Sequence, residues 1–327
     1  MKKKIYTLLI ILITLFIGFE MLTESKSVLD SVKFSFQIWI DNIFPSLFPF
    51  FVLSELLINF GFAHFIGEIL NPFMNKLFKL KGETGFVLAM SMISGFPSGA
   101  KYTRELYERK IINDNEATKL LTFTHFSSPM FILGTISVSF LNNVEVGILI
   151  LIIHYISNFI IGLIFRNYYI SNKTVEKTSI KKAFLKMHNE RMNNPKNFGQ
   201  IISNSLINSI NTLLLILGVI SLFLIITTVV NNNLDLSVYT KAIINGFFEM
   251  TQGLKYVSLL DFPLKIKVLL CTMFISFGGL SVHMQVASII SDTKIKYFPF
   301  LVARILHAII SSFIIYILFD IWTRIFL

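Results

Sequence analysis

Cysteine is nearly absent. The 327 residues hold one, Cys271, inside an apolar run. A single thiol excludes a disulfide within the chain and any cysteine-based metal centre. Charge is scarce as well: Asp, Glu, Lys and Arg make up 15% of the residues, against about 25% in an ordinary soluble domain. Acid is the scarcer sign, with 19 Asp and Glu against 29 Lys and Arg. No His-Glu-x-x-His pair and no Gly-x-Ser-x-Gly elbow occurs, so neither zinc-hydrolase nor serine-hydrolase chemistry has a sequence signature here. Asp41 is the one acid well inside an apolar run, and it has no neighbouring acid with which to form a dyad. Neither an enzyme, a cofactor nor a metal is expected.

The net charge of +10 is concentrated in two places. Lys2, Lys3 and Lys4 supply three charges, and eight basic residues against Glu176 and Glu190 in 166–200 supply six more. Basic clusters beside apolar segments are retained on the cytoplasmic side of a membrane. The charge is therefore topological and does not imply nucleic acid, although such a loop also fits anionic lipid.

Apolar sequence is abundant: 54% of the residues, 34 of them Phe, with a mean hydropathy of +0.69. Ile201–Leu234 contains no charged residue, and Leu120–Val144, Val146–Phe165 and Val268–Ser291 contain none but histidine. A spanning helix needs about 20 apolar residues, so each run is long enough. The chain reads as an all-α polytopic membrane protein with a lipid bilayer as its first partner.

Residues 1–34 are expected to form a signal-anchor span and linker. Three lysines precede Ile5–Phe19 and no small-residue cleavage site follows, so the segment is retained with its N-terminus cytoplasmic. Residues 35–166 form a first repeat. It comprises a segment at 35–60 kinked by Pro45 and Pro49, an interfacial amphipathic helix at 62–82, a re-entrant element at 84–119, and spans at 120–141 and 145–166 joined by a turn at Asn142-Asn143. Residues 167–200 form a basic cytoplasmic loop. Residues 201–327 form a second repeat: a span at 203–230, an interfacial stretch at 232–262, a re-entrant element at 264–291 (with a full crossing as the alternative) and a last span at 298–319. Residues 157–165 and 311–319 match at five of nine positions, and His154 and His307 precede them.

The re-entrant elements carry the functional signal. Ser94-Gly95-Phe96-Pro97-Ser98-Gly99 and Ser276-Phe277-Gly278-Gly279 interrupt apolar helices, one in each half. Lipid cannot satisfy backbone groups freed at membrane depth, so such breaks face protein or a polar cavity. Paired breaks in two halves are the mark of a repeat-built transporter.

The run Ser94 to Lys101, then Glu105-Leu106-Tyr107, Leu121 to Thr124 and Ser127 to Gly134, resembles the YlbJ-type sporulation integral membrane proteins. Gly279-Leu280-Ser281-Val282-His283-Met284-Gln285 resembles that family's second signature, and the likeness extends over roughly 35–320. The family is similar in turn to nucleoside-transporter gate domains, whose fold is two inverted repeats with re-entrant helices. The resemblance implies a role in endospore formation. It also implies movement of dipicolinate, a small aromatic dianion, from the mother cell across the outer forespore membrane. Because the second half departs from the nucleoside-transporter pattern, nucleoside transport itself is not implied. The alternatives are a carrier of another nucleoside-like or anionic solute, and a non-transporting protein needed for cortex or coat assembly. A homo-oligomer is an open alternative to a monomer.

A cavity for such a dianion needs donors. Helix N-termini at the breaks supply N–H groups and a positive dipole end. Gly95, Gly99, Gly278 and Gly279 would admit close backbone approach, and Pro97 would hold the first break open. Hydroxyls would come from Ser94, Ser98, Ser127, Ser128 and Ser281, further donors from His283 and Gln285, and a cation from Lys101. His125 is an even choice between ligand and core. His154 and His307 are expected to bond between helices, and Arg104, Glu105, Glu108 and Arg109 to form a solvated paired face.

Overall fold

The computed structural model describes residues 2–170 and 179–326. All regular structure in them is helical, in the order α1 (Lys2–Thr23), α2 (Ser25–Ile38), α3 (Phe44–Asn59), α4 (Phe62–Phe73), α5 (Thr84–Ser94), α6 (Ser98–Glu108), α7 (Asp114–Leu121), α8 (Val144–Ile164), α9 (Ile180–Asn193), α10 (Phe198–Asn233), α11 (Val238–Phe248), α12 (Met250–Leu259), α13 (Leu264–Phe277), α14 (Gly279–Ile290) and α15 (Tyr297–Phe326). Wide π-helical turns join α2 to α3 at Trp39–Ile43, follow α4 at Met74–Phe78, and form Phe131–Leu141 ahead of α8. Six stretches are long and apolar enough to cross a membrane: Lys4–Thr23, Ser25–Asn59, Val144–Asn167, Phe198–Asn233, Leu264–Ile290 and Tyr297–Phe326.

Local sequence explains where the helices start and stop. Asn113 and Asn197 build capping boxes with Glu116 and Gln200, which satisfies two orphan N–H groups at each start. Asn142 takes a left-handed φ of 48° and Asn143 caps α8 through the Val146 N–H, so the expected Asn-Asn turn is present. Gly278, at φ 93°, ends α13.

Long α10 is the central strut, packed against α2, α3, α11 and α14. Polar contacts pin it: Ser35 Oγ lies 2.7 Å from Ser221 Oγ, and Trp39 Nε1 donates to Leu213 O at 2.9 Å. One apolar core includes Phe51, Phe78, Phe86, Tyr102, Phe123 and Phe126. A second gathers Ile150, Ile153, Leu254, Val268, Ile275 and Ile315 from α8, α12, α13 and α15. Many phenylalanines therefore serve the interior, and α1 instead turns most of its apolar surface outward.

Several expectations change. The anticipated span at 120–141 is not one helix: α7 stops at Leu121, residues 124–128 have no regular structure, and the wide helix occupies Phe131–Leu141. Pro129 is the local cause, since it disfavours helix at Ser128. Residues 62–82 are not a plain interfacial helix, because Met74, Phe78 and Leu80 are fully buried. The paired face of α6 forms as expected on one side, with Arg104 on Glu108 and Arg109 on Glu105. Its other side, Ser98 to Thr103, is buried. Part of the supposed basic loop is ordered: α9 packs on α4, and Lys186 Nζ lies 2.6 Å from the buried Glu68. The rest of that loop, 171–178, lies outside the described residues.

The α11–α12 pair crosses α13 with glycine at the contact. A Cβ on Gly253 would collide with the backbone of Gly246, and one on Gly246 would collide with the Phe274 ring. Gly253→Leu is expected to lower the thermal midpoint of the purified protein by overpacking, at about 1–3 kcal/mol. Gly218→Ala, where no atom lies within 4 Å of the new Cβ, is expected to leave the midpoint unchanged or raise it. Equal midpoints for both variants would refute the close-packing account.

Candidate functional site

Four interruptions of helical structure converge. The first is Gly95-Phe96-Pro97, between α5 and α6. Gly95 has φ 83°, and a Cβ there would lie 2.7 Å from Ser128 N, so glycine is required both by conformation and by close approach. The second is the irregular segment 124–128, whose Thr124 O would collide with a Cβ on Gly99. The third is Gly278-Gly279, and the fourth is Glu249, extended at φ −136° between α11 and α12. Gly279 lies against Phe248 and Met250: a Cβ there would be 3.1 Å from Met250 N and 3.3 Å from Phe248 O.

Three of them, at Gly95-Phe96, Ser127-Ser128 and Glu249, line a cavity of about 60 Å³, and the Gly278-Gly279 break abuts the chain on either side of Glu249. The cavity's polar lining comes from Asn42 and Ser46, Ser94 and Gly95, Ser127 and Ser128, Glu249 and Thr251, and Gln285. Phe96, Phe131, Ile216 and Ile220 supply apolar surface. A separate, larger pocket of about 680 Å³, here called the vestibule, lies along the same helices. On α3 the lining passes from Ser46 to Glu55 and Asn59, on α10 from Ile216 to Thr212 and Asn208, and on α14 from Gln285 to Ser288. Burial raises the Glu105 carboxyl in that vestibule to about 7, against the opposing pull of Arg109 at 3.0 Å.

Behind the cavity a buried polar network holds the interruptions in place. The fully buried Arg304 of α15 donates from Nη2 to Thr122 O at 2.6 Å and to Asn158 Oδ1 at 2.9 Å. Its Nη1 donates to His125 O at 3.3 Å and to His307 Nδ1 at 2.8 Å. Because His307 Nδ1 accepts, its Nε2 must carry the proton donated to His154 O at 3.0 Å. His154 Nε2 accepts from Ser127 N at 2.9 Å, so His154 Nδ1–H donates to Ser276 Oγ at 3.2 Å. Ser311 Oγ reaches the same Ser276 hydroxyl at 2.9 Å. The guanidinium thus sits beside the carbonyls that follow the C-terminus of α7, where a cation is favoured by the helix dipole.

The structure separates the residues expected to form the site. Ser94, Gly95, Ser127, Ser128 and Gln285 line the cavity, and the Ser127 hydroxyl has no partner. Pro97, Ser98, Gly99, Gly278, Gly279, Ser281 and His283 stand behind its walls. Ser98 bonds Gly95 O. His283 is held by Tyr297 Oη at 2.7 Å and by Phe277 O at 3.1 Å. Lys101 is drawn to Glu55 at 2.9 Å, lies over the Phe51 ring and lines the vestibule. His154 and His307 do bond between helices. His125 stacks on Phe96 at 4.9 Å and meets the Phe300 edge at 5.0 Å, with neither ring nitrogen bonded. Asp41 is exposed. Arg304 and Glu249 did not enter the expected site. Arg304 is the only Lys, Arg, Asp or Glu in 298–319, and an intramembrane charge is by default a functional candidate.

Such a broken-helix membrane architecture with a central polar cavity is the class to which carriers of small solutes belong. A family model described as "Nucleoside recognition" matches residues 40–144. The chain is 36% identical over 340 residues to "Sporulation integral membrane protein YlbJ" of Bacillus subtilis (strain 168), covering 97% of this chain and 83% of that protein. The chain belongs to the YlbJ family of sporulation integral membrane proteins. No solved structure matches it.

Arg304→Leu is expected to strand Thr122 O, His125 O, Asn158 and His307 without their donor. At roughly 1–3 kcal/mol per buried unsatisfied group, the purified protein should lose about 3 kcal/mol or more and melt earlier. Arg304→Lys, which keeps the charge but not the planar fork, should fall between. A Leu variant melting with the wild type would show that the network is not what secures the breaks.

Proposed function

We propose that this protein is a transporter that carries dipicolinate from the mother cell across the outer forespore membrane, with its N-terminus in the cytoplasm. One observation carries the proposal: three breaks in helical structure, at Gly95-Phe96, Ser127-Ser128 and Glu249, line one internal cavity, and a larger pocket lies along the same helices α3, α10 and α14. Soluble-protein logic gives no reason to assemble so many helix ends around a small hollow inside an apolar bundle. A permeation route does, because unpaired backbone groups and hydroxyls can replace the water around a solute.

In this proposal α5–α6 and α13–α14 are the re-entrant halves of two inverted repeats. The cavity is well below the roughly 300 Å³ of an ordinary small-molecule pocket, which makes this conformation a closed one. Opening separates the first break from the 124–128 segment, or the Gly278 break from Phe248 and Met250. The helix starts at Ser98 and Gly279 then present N–H groups to the solute carboxylates. Family membership supports the sporulation setting, and the nucleoside-recognition match supports a small solute containing a planar ring.

Purified protein in liposomes should take up dipicolinate saturably and release it chemically unchanged. Ser127→Val and Gln285→Leu, which strip polar groups from the cavity wall, are expected to cut the initial rate at least tenfold with little change in melting. Wild-type uptake in both would remove this cavity from the route. Conversion of the solute would point to an enzyme. Uptake of other anions but not dipicolinate would reassign the substrate.

A further inference from the structure

The one ionisable group on the wall of the inner cavity is an acid. Glu249 is 1% exposed, and the other polar side chains of that wall are the neutral Asn42, Ser46, Ser94, Ser127, Ser128, Thr251 and Gln285. Two donors reach the carboxylate: Gln252 N to Oε2 at 2.9 Å and Thr251 Oγ1 to Oε1 at 3.1 Å. The Thr251 N–H and the Ser281 hydroxyl face the same carboxylate, so every donor around it is a neutral group.

Among the described residues no cation is paired with it. From α10 the neighbouring polar groups are Thr227 and Asn231, bonded to Gln252 and Asn245. From α14 it is Ser281, whose hydroxyl faces Glu249 and has no bonded partner by geometry. His283 of α14 is engaged by Tyr297 and Phe277 O. The Phe131–Leu141 segment carries no ionisable residue. Lys267 of α13 donates to Ser258 O at the far end of α12, and Lys265 pairs with Asp320. Lys255 of α12 lies over the Phe34 ring, and Lys241 sits two turns back along α11. Lys101 is paired with Glu55, and Arg304 is spent on carbonyls and His307.

A cavity proposed for an anion therefore presents a carboxylate to it. Like charges a few ångströms apart in a low-dielectric interior oppose each other strongly, and one of them must be neutralised. We infer that Glu249 binds one positive charge, a proton or an alkali cation, that enters with the anionic solute and couples its movement to a cation gradient. The inference rests on the transport proposal above. The surrounding atoms suit such a charge: Phe248 O and Gly246 O face the Gly279 backbone next to Glu249, and the Ser281 and Ser127 hydroxyls are buried without partners. Carbonyl, hydroxyl and carboxylate oxygens as the available ligands favour a hard cation or a shared proton over a soft metal.

Glu249→Gln removes the charge and keeps the shape, and Glu249→Asp keeps the charge. In liposomes at limiting dipicolinate, an imposed inward proton or sodium gradient should speed wild-type uptake at least fivefold. Whichever gradient acts names the cation. The Gln variant should run at one rate whatever the gradient, and the Asp variant should keep a response. Independently, the melting temperature of solute-free protein should shift with pH or sodium more in the wild type than in the Gln variant, in which Glu105 still titrates. Gradient-insensitive saturable uptake, with both variants melting like the wild type under all conditions, overturns the inference and leaves the transport proposal intact. Absent dipicolinate uptake together with a Glu249-dependent melting shift does the opposite, sparing the cation site and sinking the choice of solute.

Discussion

Inside lipid, a helix cannot end for free. Each terminus exposes several N–H or C=O groups, and a bilayer core offers no water to receive them. This bundle ends helices repeatedly in its interior, so its stability depends on supplying partners from within. Arg304 is the central supplier. One guanidinium satisfies two main-chain carbonyls of the α7–π-helix connection, an asparagine and a histidine. His154 extends the service to Ser127 N and Ser276. Burying a charge is costly unless it is fully hydrogen-bonded, and planar arginine is the side chain that can meet several acceptors at once.

Glycine performs the complementary task. Where two interruptions meet, backbone packs directly on backbone, as at Gly95 on Ser128, Gly99 on Thr124 and Gly279 on Phe248 and Met250. Such contacts involve no long side chains, so they can separate and re-form without rotamer repacking. That property suits the joints of a moving structure better than a jigsaw core does.

Much of this architecture was legible in the chain. The charge-free runs Val146–Phe165 and Ile201–Leu234 gave spanning helices because a 20-residue apolar helix fits them, whereas the equally apolar Leu120–Val144 did not form one. Gly95 and Gly278 stood out because glycine clusters interrupt sequence that otherwise favours helix. Asn142-Asn143 was readable as a turn for the same local reason. What stayed hidden was set by tertiary packing. The break at 124–128 lay inside an apolar run and showed itself only through Pro129. Whether Ser98, Gly99 or His283 faces a cavity or its outer wall depends on helix rotation, and the apolar pattern of a helix buried on all sides does not encode rotation. Glu249 was concealed by its mixed-polarity neighbours, which look interfacial one residue at a time. Lys101, next to the first break in sequence, is drawn off by Glu55, which comes from a different helix and is separated from it by 46 positions.

The placement of charge follows one rule along the α3–α10–α14 path. Facing the vestibule, opposite charges occur together: Lys101 with Glu55, Arg109 with Glu105, Arg104 with Glu108 and Asp292. Arg104 with Glu108 and Asp292 is exposed enough to open cheaply, so an arriving anion can exchange with a carboxylate there at little cost, whereas Lys101 with Glu55 is buried and stays paired. In the inner cavity water is scarce and a fixed cation would hold an anion too tightly to let it leave. A lone acid there has the opposite effect, since it admits the anion only together with a compensating charge and expels it once that charge departs. Affinity at the mouth and conditional affinity at the centre are what a carrier requires, because a site that binds equally well in every state cannot drive a cycle.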